Sequence, residues 1–124
     1  MDILVVDDDR ELCNILSLCC YKRNFTVSCV GNLKDGLEEI GAVPMLMFLD
    51  HNLPDGLGLD MIQNFKAHSP ITKIVFITAC PEERIKDQAF AKGADYFLAK
   101  PFLLHDLRQI LTEFQKILIV PALY

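Results

Sequence analysis

Five short apolar runs, each followed by a stretch with helical character, constrain this chain more than any other feature. The runs are "DILVV" (2–6), "FTVSCV" (25–30), "MLMFL" (45–49), "KIVFIT" (73–78) and "DYFLA" (95–99). They are near-continuous rather than alternating, the pattern of strands covered on both faces. After the first, "RELCNILSLCC" puts Leu12, Ile15, Leu16 and Cys19 at i, i+3, i+4 and i+7, one helical stripe. Asp9 is placed to cap that helix, and Asn32 to cap the next, "NLKDGLEEIG", which ends in Gly41. A third amphipathic helix is predicted over roughly 58–67. "EERIKDQAFAKG" supplies a fourth, with Pro81 where it begins and Gly93 as its stop. The last carries Leu104, Leu107, Ile110, Leu111, Phe114, Ile117 and Leu118 on one stripe and must end before Pro121. Five strands alternating with five helices predict an α/β domain: a doubly wound, five-stranded parallel sheet with helices on both faces.

At 124 residues the chain suits one domain with a single core, expected over residues 1–120. Residues 121–124 have no element of their own and are expected to be a C-terminal tail or the start of a linker to an output domain. Twelve basic residues against seventeen acidic ones give a net charge of −5, which argues against direct contact with nucleic acid. The longest apolar runs, such as "ILIV" (117–120), fall far short of the ~20 residues of a membrane span, and no signal peptide is visible. The five cysteines, Cys13, Cys19, Cys20, Cys29 and Cys80, show no C-x-x-C spacing. A disulfide framework or zinc site is therefore not expected. Each cysteine reads as a small core hydrophobe, and the chain as a cytoplasmic one.

In doubly wound sheets, ligands bind outside the carboxyl ends of the strands. Asp7, Asp8 and Asp9 follow the first strand, Asp50 the third, and Thr78 ends the fourth. Lys100 and Pro101 follow the fifth. Several carboxylates pointing into one crevice repel and do not all stay ionised unaided. A hard divalent cation with oxygen ligands relieves the repulsion, and Mg²⁺ typically takes one or two carboxylates plus waters and phosphate. Lys100 adds an ammonium and Thr78 a hydroxyl, so the set forms a phosphoryl cradle containing a carboxylate nucleophile. Taken singly, an Asp after a strand is usually a turn former; four strand ends together are harder to dismiss.

"ILVVDDD", "FLDHNLPDG", "IVFITA" and "GADYFLAKPF" resemble, in order and spacing, the signature segments of response-regulator receiver domains of two-component signalling. The resemblance covers essentially the whole chain and implies a flavodoxin-like (βα)5 fold. It implies that Asp50 is the phosphoacceptor, attacking the phosphohistidine of a sensor histidine kinase or phosphotransfer protein. Asp7 and Asp8 resemble the acidic pair that holds Mg²⁺ (or Mn²⁺), with Asp50 and the backbone carbonyl of Asn52 completing the protein ligands. Lys100 resembles the lysine that pairs with Asp50 and then with its phosphoryl group. Thr78 resembles the switch hydroxyl, and Phe97 the aromatic that turns inward when the threonine moves. The Lys100–Pro101 bond is expected to be cis, as it often is in the family. Such a protein is a signalling switch that catalyses only its own phosphotransfer and dephosphorylation. Its switching face, the fourth helix, fifth strand and last helix, is expected to support a homodimer.

Some positions depart from the usual pattern. Phe97 stands where tyrosine is more frequent, so a switch using a ring hydroxyl is excluded while one using packing remains. Leu57 replaces an acidic or small polar residue and is expected to be exposed beside the site. Cys80 reads as a small spacer. Leu103, Ile119 and Val120 have no obvious core to fill. His51, His68 and His105 are scattered along the chain; His51 neighbours Asp50 but is expected to point away from it, in a surface role rather than a catalytic one. Two alternatives are a pseudo-receiver scaffold and a haloacid-dehalogenase-type phosphatase. The latter places a second acid where this chain has Asn52.

Overall fold

The computed structural model describes residues 1–79 and 82–119, apart from the side chain of Ile119. The expectations for Cys80, Pro81, the Ile119 side chain, Val120 and the tail 121–124 lie outside the described residues.

The five apolar runs form strands β1 (Ile3–Val6), β2 (Val27–Val30), β3 (Leu46–Asp50), β4 (Lys73–Thr78) and β5 (Tyr96–Ala99). All neighbours are parallel, in the order β2-β1-β3-β4-β5. The helices between and after them are α1 (Arg10–Tyr21), α2 (Leu33–Glu39), α3 (Gly58–His68), α4 (Glu83–Lys92) and α5 (Leu104–Ile119). This is the doubly wound five-stranded fold, with the strand order reversing between β1 and β3. That reversal opens a crevice at the carboxyl ends of these two strands.

Each strand feeds two cores by alternation. Ile3, Val5, Leu46, Phe48, Val75 and Ile77 point to one face, where α1 and α5 cover them with Leu12, Leu16, Leu107, Leu111 and Phe114. Leu4, Val6, Met47, Leu49, Ile74 and Phe76 point to the other, covered by α2, α3 and α4. Both sets are fully buried, which explains why the strands show no polar alternation in sequence. Among the described residues no helix is long and apolar enough to cross a membrane.

The predicted caps are present. Asp9 accepts the amides of Glu11 and Leu12, Asn32 accepts the amide of Asp35, and Gly93 closes α4 at φ 118°. The stretch 32–41 is divided, however: α2 stops at Glu39 and a single 3-10 turn, Ile40–Ala42, follows.

Other expectations need correction. On α1 the buried stripe is Leu12, Leu16 and Cys20, whereas Ile15 is exposed and Cys19 only half-buried. On α5 only Leu107, Ile110, Leu111 and Phe114 are buried, and Leu104, Ile117 and Leu118 stand in solvent. The reason is length. Sixteen helical residues span about 24 Å, whereas a four-residue strand spans about 13 Å, so both ends of α5 overhang the sheet. Nor are all the cysteines core hydrophobes. Cys13 on α1 and Cys29 on β2 are joined by a disulfide with their Cα atoms 6.4 Å apart, a normal bridging separation.

Directly after Asp50 the chain makes a hairpin unseen in the sequence, Asn52–Leu53 pairing antiparallel with Gly56–Leu57. Its return brings Gly58, the first residue of α3, against the back of β3, where its amide donates to the His51 carbonyl at 2.7 Å. A Cβ at position 58 collides with the Asp50 carbonyl, so only glycine fits. Gly58→Ala is therefore expected to destabilise the domain by about 2–3 kcal/mol, measured by urea unfolding. Leu57→Ala, at an exposed position next door, is expected to cost under about 0.5 kcal/mol.

Candidate functional site

The strand ends converge as the sequence predicts. Asp7, Asp8 and Asp50 each place a carboxylate oxygen within 4.8 Å of the others, at the crevice where the strand order reverses. Asp7 and Asp50 are buried, while Asp8 is exposed. In the Asp7 carboxylate, Oδ1 accepts the amide of Asp9 at 2.9 Å. The other oxygen, Oδ2, has the Lys100 ammonium at 2.9 Å as its ion-pair partner. Lys100 Nζ also stands 3.4 Å from Asp50 Oδ1.

Backbone contacts aim these groups. Asp7 donates its amide to the Val30 carbonyl at 3.0 Å, tying the acidic loop to β2. Lys100 donates its amide to the Thr78 carbonyl at 2.8 Å, and the Lys100–Pro101 bond that follows is cis, as expected. Thr78 is completely buried at the end of β4. Asn52, the first hairpin residue, is exposed and pairs with Leu57. Phe97 lies on the face away from Lys100's carboxylate partners. It is half-buried, its ring centroid 6.4 Å from that of Phe76, with Lys86 Nζ 5.6 Å above the ring.

The electrostatics follow from burial and proximity. Loss of solvent and the Asp7 carboxylate push the Asp50 carboxyl up to about 6, against the partial opposition of Lys100 and the His51 amide. Burial alone would lower the Lys100 pKa, but the Asp7 and Asp50 carboxylates outweigh it and hold that pKa above its ordinary value. Among the described residues the three carboxylates outnumber the one ammonium ion-paired with them, so negative charge is in excess in the crevice. An exposed acid beside two buried ones is a donor set suited to a hard divalent cation.

The expected surface role of His51 does not hold. Its side chain points away from Asp50 but is buried, edge-on to Phe76 at 5.3 Å, where Nδ1 faces the Leu59 amide at 3.4 Å. Burial lowers its pKa, so it is a neutral strut between β3 and α3. Two further positioning residues were not evident in the sequence. Gly58 lies behind Asp50. Asp55, at the hairpin tip, accepts the amides of Leu33 at 2.8 Å and Lys34 at 3.0 Å. Those amides draw the Asp55 pKa down, and the contact pins the loop after Asp50 to the start of α2. "PDG" (54–56) signals a turn, but nothing local shows which helix it will cap.

Known proteins share this arrangement. The model of the response regulator receiver domain matches residues 3–112. The chain is 32% identical over 110 residues to "Response regulator protein PilR" of Pseudomonas aeruginosa, covering 88% of this chain and 25% of that protein. It is 32% identical over 108 residues to the "KDP operon transcriptional regulatory protein KdpE" of Escherichia coli, covering 86% and 48%. The chain thus spans between a quarter and about half of these relatives. Among solved structures, a Burkholderia pseudomallei response regulator "with a phosphorylated aspartic acid, calcium ion and citrate" superposes with a TM-score of 0.81 at 26% identity, covering 98% of this chain and 72% of that one. The "beryllofluoride-activated NtrC4 receiver domain dimer" superposes with a TM-score of 0.83 at 28% identity, covering 92% and 96%. With nearly its whole length matched, the chain belongs to the response regulator receiver domains of two-component signalling.

Proposed function

We propose that Asp50 is the phosphoacceptor and that the domain works with a Mg²⁺ (or Mn²⁺) ion held by Asp7, Asp8, Asp50 and the backbone carbonyl of Asn52. The observation that carries this is the clustering of three carboxylates around the buried Asp50, with the Lys100 ammonium beside it. The bound cation would supply charge neutralisation for an incoming phosphoryl group. Asp50 Oδ attacks the phosphorus of a phosphohistidine presented by a sensor histidine kinase or phosphotransfer protein. The P–N bond breaks, its electron pair returns to the imidazole, and an acyl phosphate remains on Asp50. Lys100, already shared between Asp7 and Asp50, turns its ammonium to the new phosphoryl oxygens. Thr78 donates its hydroxyl to the same group. Loss of the phosphoryl group to water in the same site resets the switch. A cytoplasmic setting suits such an exchange, and there the Cys13–Cys29 bridge is open to reduction.

Movement of Thr78 lets Phe97 shift in its packing between Phe76 and Lys86, which carries the signal to the α4-β5-α5 face. That face carries exposed Phe90 and Leu104 and suits a homodimer. The beryllofluoride-activated relative is itself described as a dimer. Residues 1–120 form the receiver unit in this scheme, with 121–124 a C-terminal tail or the start of a linker to an output domain. Nucleic-acid or membrane contact is no part of the unit's role. A pseudo-receiver lacks reason to keep Asp7, Asp8, Asp50, Thr78 and Lys100 together. A dehalogenase-type phosphatase needs an acid where Asn52 stands.

Treated with acetyl phosphate and Mg²⁺, the protein is expected to gain the mass of one phosphoryl group, measured on the intact chain. Without divalent metal, or as Asp50→Ala, it gains none. Equal labelling of Asp50→Ala would put the nucleophile elsewhere.

Protonation gives a second test. Asp50 titrates at about 6 folded against 3.8 for the free side chain, so between these values the folded state holds more protons. The contribution of Asp50 to stability therefore falls as pH rises from about 4 to 6 and stays lower above. Asp50→Asn is expected to raise the stability of the metal-free domain at pH 7 by on the order of 2 kcal/mol, and to leave it little changed at about pH 3.5. Millimolar Mg²⁺ is expected to raise the melting temperature of the parent at pH 7 but not that of Asp8→Asn.

For the dimer, sedimentation velocity with and without beryllofluoride is the measurement. A shift towards dimer at about 100 μM is expected with the mimic, and an unchanged monomer rules out affinity in that range.

A further inference from the structure

Besides the acidic crevice, the described residues hold one other reactive group at its border. The Cys13–Cys29 disulfide joins the second turn of α1 to the edge strand β2 across a sequence separation of 16. Its sulfurs share a cavity of ≈ 500 Å³ with Asp7, Asp8, Arg10 and Asn14. Cys29 is exposed, so a solution thiol reaches its sulfur, whereas Cys13 is half-buried. Ser17 Oγ lies 3.9 Å from Cys13 Sγ and 3.7 Å from Cys29 Sγ, a hydroxyl donor for whichever sulfur leaves as thiolate. Of the other described cysteines, Cys20 is buried among α1 core residues, with its thiol pushed up to about 12, and Cys19 is half-buried.

The bond's neighbours give it a consequence. The Cys13 amide donates to the Asp9 carbonyl at 3.1 Å, the backbone bond that ends the acidic loop and opens α1. Val30, next to Cys29, accepts the Asp7 amide, the bond that begins the same loop. Each half-cystine is thus adjacent to, or part of, a hydrogen bond anchoring one end of Asp7–Asp9. A covalent bridge between those anchors limits how far α1 and β2 separate, and so how far the loop between them opens.

We propose that Cys13 and Cys29 form a thiol–disulfide exchange site whose oxidised state clamps the acidic loop and whose reduced state loosens it. Oxidation consumes one low-molecular-weight disulfide: the two protein thiols lose two protons and two electrons, and the small disulfide becomes two thiols. In reduction, an incoming thiolate bonds to Cys29 Sγ and Cys13 leaves as thiolate, then takes a proton. A second small thiol releases Cys29 from the mixed disulfide. The bridge closes the α1–β2 segment without touching Asp50, so it tunes the metal side of the crevice and not the nucleophile. The link to cation affinity rests on the metal proposed above.

The full chain is poised in buffers of oxidised and reduced dithiothreitol, then denatured and alkylated. The five cysteines are expected to take five labels when reduced and three when oxidised, with Cys13 and Cys29 the protected pair by peptide mapping. Millimolar dithiothreitol is expected to open the bond without denaturant. Failure to form it in any buffer, or a need for denaturant to open it, overturns the exchange site. Hydrogen exchange of the amides from Asp9 to Cys13 is expected to be about ten-fold slower in the oxidised form, with no redox response in Cys29→Ser or Cys13→Ser. Equal exchange in both forms overturns the clamp. Mg²⁺ is expected to bind the oxidised form three- to ten-fold more tightly. Equal binding by both forms overturns the coupling to the metal. Binding by neither counts against the metal itself, and hydrogen exchange then still decides the clamp.

Discussion

A parallel sheet buried on both faces leaves polar side chains almost nowhere to go except beyond the strand ends. In this chain β1 and β3 are wholly buried, and the apolar runs stop abruptly at Asp7 and Asp50. The chemistry of the domain follows from that restriction. Side chains driven off the sheet at one edge collect in the crevice where the strand order reverses. Three of them are carboxylates.

Once gathered, those carboxylates cannot be neutral bystanders. Burial and mutual repulsion raise the Asp50 pKa to about 6, and Lys100 compensates only in part, shared between Asp7 and Asp50. The fold keeps this unfavourable arrangement because backbone bonds elsewhere over-determine it. The Val30 carbonyl holds Asp7, the Thr78 carbonyl holds Lys100, and Gly58 lets α3 pack directly behind Asp50. A site with negative charge left uncompensated in this way suits a cation, which relieves the repulsion.

The same edge is tied to its surroundings from two sides. Asp55 carries the hairpin after Asp50 onto the amides at the start of α2. The Cys13–Cys29 bridge carries the start of α1 onto β2. Neither contact reaches the nucleophile, yet each restrains a segment adjoining it. On the far side, Phe97 between Phe76 and Lys86 adjoins the α4-β5-α5 face, linking the core behind β4 to a surface.

The order of elements, the identity of the strands and the convergence of Asp7, Asp8, Asp50, Thr78 and Lys100 on one edge were legible in the sequence. Local hydrophobic runs and cap residues encode strands and helices, and strand ends encode the edge, with no need to know what packs against what. The inward face of each helix was less legible. Ile15 repeats with helical spacing yet faces water while Cys20 is buried, and Leu104 and Ile117 share the α5 stripe yet overhang the sheet. Periodicity shows that a stripe exists; the reach of the sheet decides how much of it is covered. His51 reads as a polar surface residue, but α3 packs over it and makes it a strut. The disulfide lay outside any sequence signal, since Cys13 and Cys29 form no motif at a separation of 16. Only the docking of α1 beside β2 brings their Cα atoms to 6.4 Å. Elements and strand ends are set by neighbours along the chain, which a sequence displays. Burial, the Gly58 contact and the cysteine pairing are set by neighbours across it, which only tertiary packing supplies.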